Sequence, residues 1–140
     1  IKDMHNLQRV GLVYCDLKEV NGLTNKTDLL YCDISFNNFE EDDSSIESLF
    51  DSKKLLWLCL SAYARPTLNV EFWPELRGVE ISYSKIKNIY GLEFCKKLQF
   101  IDCYSSNIEI FFGLKGFSYD ENFGWAVADK NKVAADEISN

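Results

Sequence analysis

The sequence has few of the residues on which most enzymes and metal sites depend. It contains one histidine, His5, among 140 residues, and its five cysteines form no C-x-x-C pair. The odd number and the spacing argue against a zinc site and against a complete disulfide framework. Nucleophile-elbow, phosphate-loop and dinucleotide-binding glycine motifs are also missing. We therefore predict no catalytic residue, no metal, no cofactor, and free thiols in a reducing, cytoplasmic compartment.

Long apolar runs and excess positive charge are missing as well. No segment approaches the roughly 18 unbroken apolar residues that a membrane helix needs. Lys and Arg number 15 against 22 Asp and Glu, which gives a net charge of −7. Because a nucleic-acid backbone is bound by clustered positive charge, we predict neither nucleic acid nor membrane as partner. The acidic balance favours a basic protein partner; the alternative is that the charge only maintains solubility.

What the sequence does contain is an internal repeat. Apolar residues make up 46% of the chain, yet five segments of the form L-x-x-φ-x-φ have an apolar residue at every φ. Alternating φ-x-φ predicts a short strand with one face inward. Such strands cannot bury that face alone and must stack on their neighbours. The segments predict parallel strands at 7–12, 29–34, 55–60, 76–81 and 98–103.

The repeat resembles that of the leucine-rich-repeat family in its short form of about 22 residues. The match is clearest from Leu29 to Phe39, where Asn37 falls at the family's asparagine position. The resemblance covers most of the chain. It implies an α/β fold, namely a solenoid with a parallel, concave β-sheet and short convex helices or turns. It also implies that the residue at the asparagine position caps the backbone where the chain leaves each strand.

We predict a single domain over residues 1–140, since this length suits one continuous core. The second repeat carries extra residues, in which Ser44 and Glu47 have the spacing of a capping box. A short convex helix is therefore predicted from about Ser44 to Ser52. Terminal repeats need a cap that closes the core, and an aromatic segment follows the last repeat. The predicted repeats start near 7, 29, 55, 76 and 98, and the predicted C-terminal cap occupies 115–140.

The outward positions of the predicted strands carry aromatic and acidic side chains at matching places. Exposed aromatics surrounded by charge are typical of protein-binding hot spots. The alternative is that these aromatics pack on one another. Cys59 also holds an outward position, where partial burial beneath neighbouring aromatics is predicted. The predicted partner-binding residues are Tyr14, Tyr31, Asp33, Phe36, Trp57, Glu80, Tyr83, Phe100, Asp102 and Tyr104.

These features together predict a non-enzymatic protein-binding module that is monomeric outside its complex. The size, acidic charge and fold resemble those of bacterial toxin-neutralising immunity proteins. That resemblance implies that the chain covers the active site of a basic, nuclease-like toxin. The alternative is a regulatory or scaffolding leucine-rich-repeat protein, such as a phosphatase-docking or complex-assembly subunit.

Overall fold

The computed structural model describes residues 1–39, 43–106, 108, 110–115, 117–120, 125–128 and 137–139. Over these residues the chain forms short strands and three 3-10 helices, at Asn21–Leu23, Asp43–Leu49 and Leu92–Phe94. It is an α/β arrangement in the coarse sense, with parallel strands and little helix. The strands are β1 (Arg9–Gly11), β2 (Tyr31–Asp33), β3 (Trp57–Cys59), β4 (Thr67–Asn69), β5 (Gly78–Glu80), β6 (Asn88–Tyr90), β7 (Phe100–Asp102), β8 (Ile110–Lys115), β9 (Phe117–Asp120), β10 (Trp125–Ala128) and β11 (Glu137–Ser139).

The first sheet contains the five predicted strands together with β9 and β10. Its order is β1-β2-β3-β5-β7-β10-β9, and the pairs from β1 to β7 are all parallel. The parallel sheet expected from the five segments is thus confirmed, but each strand spans three residues rather than six. The first leucine of each segment lies before the strand. Its N–H closes a turn rather than pairing with a neighbouring strand. The N–H of Leu29, for example, donates to the Lys26 carbonyl at 3.1 Å, and Leu98 does the same to Cys95 at 3.0 Å.

A second sheet lies where helices or turns were predicted. Its order is β11-β8-β6-β4, with β4, β6 and β8 parallel and in register. These strands were not predicted, and they stand beside the predicted turns and the short 3-10 helix Leu92–Phe94. In β4 and β6 the middle residue is buried between two partly exposed ones, which suits a strand. The helix predicted at about Ser44 to Ser52 is a 3-10 helix at Asp43–Leu49, followed by turn bonds such as Ser52 N–H to Leu49 O at 3.0 Å.

The core is formed by the inward side chains of the repeats. Leu29, Leu55 and Leu76 are fully buried, as is Trp73, whose Nε1 donates to the Leu49 carbonyl at 2.8 Å. A buried tryptophan needs such an acceptor because its N–H is costly to leave unpaired. Lys26 is also buried, and its Nζ donates to the Lys2 carbonyl at 2.8 Å.

The far edge of the first sheet is covered by antiparallel strands. β10 pairs antiparallel with β7, and β9 pairs antiparallel with β10. Both strands lie within the predicted cap at 115–140, of which residues 116, 121–124, 129–136 and 140 lie outside the described residues. In the described part of the chain, no helix is both long enough and apolar enough to cross a membrane.

Candidate functional site

The outward residues of the first sheet form rows because the parallel strands are in register. One position carries Tyr31 in β2, Trp57 in β3 and Phe100 in β7, which we call the aromatic row. Gly78 of β5 lies between Trp57 and Phe100 in this row, and Arg9 of β1 precedes Tyr31. Neighbouring strands are about 4.8 Å apart, so side chains at adjacent positions contact one another.

The acidic row occupies the next outward position along the strands. It consists of Asp33, Glu80 and Asp102, with Cys59 between Asp33 and Glu80. Beyond the strand ends lie four further aromatics, which we call the edge aromatics: Tyr14, Phe36, Tyr83 and Tyr104. Strand register therefore places six of the ten predicted residues in two rows on the outward face, and the other four follow the ends of the strands. The role of all ten in binding remains a prediction.

Trp57 is held flat against the sheet by its neighbours. A Cβ atom at Gly78 would lie less than 3.0 Å from three atoms of the Trp57 ring, so the missing side chain makes room for the indole. The ring is nearly parallel to Phe100, with centroids 6.1 Å apart. Its Nε1 donates to Glu80 Oε2 at 2.9 Å. Trp57 is thus half-buried and fixed, which limits its freedom before any partner arrives.

The Cys59 side chain contacts both Tyr31 and Glu80, which lie on the two neighbouring strands. The Cys59 thiol donates to Glu80 Oε2 across 2.7 Å, and its Sγ lies 3.8 Å from the Tyr31 hydroxyl oxygen. Burial and the bond to Glu80 raise the pKa of Cys59 above its usual range. The hydrogen bond with Cys59, with burial second, raises the pKa of Tyr31 to about 12. Cys59 is buried, as predicted, and a protonated, buried thiol is a poor nucleophile.

The carboxylates of the acidic row are only partly engaged. Asp33 Oδ1 accepts the Ser35 N–H at 3.0 Å, and Asp102 Oδ1 accepts the Tyr104 N–H at 3.0 Å. These bonds close a short turn after the strand. Within the described residues, Asp33 Oδ2, Glu80 Oε1 and Asp102 Oδ2 have no hydrogen-bond or ion-pair partner. Each acid therefore has one oxygen that no described group of the chain engages.

The edge aromatics lie at the ends of the strands, and the three tyrosines among them are exposed. Tyr14, Tyr83 and Tyr104 expose 74%, 56% and 50% of their surface, and Phe36 stacks on Tyr14 with ring centroids 4.6 Å apart. Tyr83 lies 6.4 Å from Phe36 and 5.6 Å from Tyr104, centroid to centroid. Large exposed aromatics in a contiguous set are uncommon on a surface that contacts only water.

In each repeat, one residue just beyond the strand has a left-handed backbone conformation, and three of the edge aromatics are such residues. Tyr14, Phe36, Ala62, Tyr83 and Ser105 all have φ between 52° and 62°, and they occupy the same position in the five repeats. A non-glycine residue pays about 1–2 kcal/mol for this conformation, and a bulky one is unusual there. The turn persists because its N–H groups continue the inter-repeat ladder, as Phe36 does to the Ser61 carbonyl at 2.8 Å. Nothing in the periodicity indicated this conformation.

Sequence reasoning also missed the contact at the start of the aromatic row. The Arg9 guanidinium carbon lies 6.0 Å from the centroid of the Tyr31 ring, a cation–π distance. Arg9 and Gly78 hold the same outward position as the three aromatics, and that equivalence was readable from the repeat. The contacts that Arg9 and Gly78 make were not readable, because they depend on the direction in which each neighbouring side chain points.

The raised pKa values predict weaker folding in alkali. Burial raises the pKa of Cys32 and Cys95 to about 12, and Cys59 and Tyr31 are raised as well. A thiol that ionises near 9 when unfolded but stays protonated when folded stabilises the fold fully below that pH. We expect the free energy of unfolding to fall as pH rises from about 9 towards 12. Urea unfolding of Cys59→Ser should show a smaller loss with pH.

The exposed Cys15 provides the matched control for this measurement. None of the five cysteines forms a disulfide, and Cys15 is the exposed one among them. Cys15→Ser should therefore keep the alkaline loss of the unmodified protein. Equal pH dependence in the Cys59→Ser and unmodified proteins would contradict the assignment.

This face combines three carboxylates with aromatic side chains. In the described part of the chain, no group of three or more His, Cys, Asp or Glu side chains is placed to hold a metal ion. No protein-family model matches the chain, and no curated protein matches it in sequence.

Proposed function

We propose that this chain is a leucine-rich-repeat solenoid that binds a basic protein through the outward face of its first sheet and catalyses no reaction. The observation that carries the proposal is the acidic row. Three carboxylates each present an oxygen that no group of the described chain engages, and aromatic side chains flank them on both sides. Like charges at neighbouring positions repel one another, and cationic groups of a partner relieve that repulsion.

The repeat architecture supports the solenoid. Equivalent strands pair in parallel and in register from β1 to β7, and from β4 to β8 strands of the second sheet alternate with them along the chain. Asn37 bonds the backbone of two successive turns, through Leu12 in one and Ile34 in the next, as the asparagine position of the family implies. A rigid sheet of this kind holds its outward side chains in place before binding, which lowers the entropic cost of the complex.

The two kinds of side chain have different parts in the proposed complex. The acidic row speeds encounter with a basic surface, and this effect weakens as salt increases. The edge aromatics supply apolar contact area once the surfaces meet, and such anchors chiefly determine the dissociation rate. Trp57 is half-buried by its neighbours, so Tyr14, Tyr83 and Tyr104 carry most of the exposed aromatic area.

The narrower proposal is a cytoplasmic immunity protein that neutralises a basic, nuclease-like toxin by covering its active site. The small size, the net charge of −7 and the free thiols are the features that suit this role. Toxin nucleases carry positive charge where they hold nucleic-acid phosphates, and the acidic row complements such a surface. A scaffolding role would require a partner of another class, so the identity of the bound protein separates the two.

The test compares, quantitatively, the proteins that a variant of the proposed face and a control variant bind in an affinity-capture experiment. Tyr83→Ala removes an exposed aromatic from the proposed face and should weaken binding of the specific partner about tenfold, as loss of an interface aromatic does. The measurement is affinity capture with mass spectrometry, followed by the affinity for the protein identified.

Phe94→Ala is the matched control for this comparison. Phe94 is similarly exposed, at 52%, but lies in the 3-10 helix Leu92–Phe94, which contacts β8 of the second sheet. It should leave binding unchanged. If Tyr83→Ala retains the same proteins with the same affinity, the proposed face is not the binding surface.

A further inference from the structure

We infer that the edge aromatics bind an extended, proline-rich segment of the partner, which also carries lysine or arginine. This inference rests on the proposed function and specifies which part of the partner meets the tyrosines. Four features of this edge support it, namely a continuous row of rings, the exposed tyrosine hydroxyls, a sheet backbone that is already paired, and the neighbouring acidic row.

The four rings form one continuous strip across the repeats. Tyr14 stacks on Phe36, and Tyr104 meets Tyr83 edge to face with ring centroids 5.6 Å apart. The two pairs meet beside Ala62, which follows the strand between theirs, and there the centroids of Phe36 and Tyr83 are 6.4 Å apart. Despite these contacts, the three tyrosines stay half or more exposed. The strip therefore offers aromatic surface along its whole length.

The backbone beneath the strip is already engaged within the sheet. The strands β2, β3 and β5 each have a paired strand on both sides. Beyond the strand ends, the N–H groups of Tyr14, Phe36, Ala62 and Tyr83 all donate to carbonyls of the following repeat. A partner strand would need an unpaired edge to add to a sheet, and these three strands offer none. An occupant must therefore bind through the ring surfaces and the hydroxyl groups.

A segment in the polyproline II conformation suits such a surface. It forms no hydrogen bonds within itself, so its carbonyls can accept from tyrosine hydroxyls, whereas a helix uses its own carbonyls internally. In the described part of the chain, the hydroxyls of Tyr14, Tyr83 and Tyr104 have no hydrogen-bond partner. The lengths also agree. The strands β1 and β7 are four strand spacings apart, which is about 19 Å, and six residues of polyproline II cover about 19 Å.

The charge beside the strip indicates what flanks the prolines. Asp33 precedes Phe36 by three residues, and Glu80 precedes Tyr83 by the same number, so the acidic row runs alongside the rings. Asp16 adds a further carboxylate, since it borders an open hollow of about 440 Å³ next to the first ring pair. Lysine or arginine beside the prolines would meet these acids. The strip and the acidic row are thus matched by one basic, proline-rich segment.

The test uses two peptides with blocked ends, one with six prolines between two arginines and one with six alanines in their place. Each is titrated into the full chain labelled with 15N, and the backbone amide signals of Phe36, Ala62 and Tyr83 report binding at the strip. The signal of Phe94, in the 3-10 helix Leu92–Phe94, should stay fixed. We expect the proline peptide to bind about fivefold more tightly, because it is held extended before it binds.

Two tyrosine variants localise the preference. Tyr83→Ala removes a ring and a hydroxyl from the strip, and it should abolish the difference between the peptides. The backbone accepts alanine there, because Ala62 has the same left-handed conformation at the equivalent position. Tyr90→Ala makes the same change in β6 of the second sheet, where Tyr90 is 39% exposed, and it should preserve the difference.

The outcomes separate this inference from the proposed function. Equal affinities for the two peptides, with shifts at the strip, would overturn the proline assignment and leave the basic-partner proposal standing, because both peptides carry the same charge. A preference for proline that survives Tyr83→Ala would also overturn it. If neither peptide shifts the strip signals, the inference fails, and the proposed function fails with it only if Tyr83→Ala also retains the partner with unchanged affinity.

Discussion

Asn37→Ala is expected to destabilise the protein by about 3 kcal/mol, a large part of the 5–15 kcal/mol that holds a typical domain folded. The Asn37 amide bonds two successive turns. Its Nδ2 donates to the carbonyls of Leu12 at 2.6 Å and Ile34 at 2.9 Å, and its Oδ1 accepts the N–H groups of Cys15 at 3.0 Å and Leu17 at 3.1 Å. Each lost bond costs about 1 kcal/mol, and more where a buried group is left unpaired. Urea unfolding measures the change.

Asn38 offers a neighbouring control of the same residue type. Its exposed amide donates to the Asp16 carboxylate at the surface, so Asn38→Ala should cost less than about 0.5 kcal/mol. Asn37→Asp should be as damaging as Asn37→Ala at neutral pH, because it sets a carboxylate oxygen against the Leu12 and Ile34 carbonyls. A loss below 1 kcal/mol for Asn37→Ala would mean that the turns hold without this side chain.

The first sheet could be predicted because its signal repeats. Val10, Cys32, Leu58, Val79 and Ile101 are the buried middle residues of five strands, and the same phase recurs in each segment. In-register pairing then fixes which outward residues become neighbours. The aromatic and acidic rows follow from that phase alone, as does the position of Asn37.

The second sheet could not be predicted because its strands are too short to show a period. Thr67–Asn69 and Asn88–Tyr90 each contain one buried apolar residue between two polar or partly exposed ones. Three residues of that kind fit a turn, a 3-10 helix or a strand equally well. Pairing between neighbouring repeats decides the outcome, and no single segment contains that information.

The contacts within the candidate site could not be predicted from the sequence either. Trp57 was predicted as one of the outward partner-binding residues, and the structure adds that it is half-buried, over Gly78 and bonded to Glu80. The bond from Cys59 to Glu80 is likewise invisible in the repeat pattern. Side-chain directions across a sheet depend on rotamers chosen by packing, so composition and spacing do not specify them.

Gly78→Ala is expected to destabilise the protein by about 2 kcal/mol when Trp57 is present and to stabilise it slightly when Trp57 is absent. The new Cβ would overlap the indole, and such overpacking costs about 1–3 kcal/mol. The backbone itself accepts alanine, because φ at Gly78 is not in the positive range, unlike that of Gly91. Without the indole, the smaller entropy of the unfolded chain should yield a gain of about 0.5 kcal/mol.

A double-mutant cycle over Trp57→Ala and Gly78→Ala tests this change of sign. Urea unfolding of the four proteins gives the coupling energy, expected at about 2.5 kcal/mol if the two residues act only through their contact. The same loss from Gly78→Ala in both backgrounds would show that the ring does not lie over Gly78. A change of sign would establish that glycine is required there because it seats Trp57. Gly78→Ala in the unmodified background should then weaken partner binding as well, since Trp57 can no longer hold Glu80 Oε2.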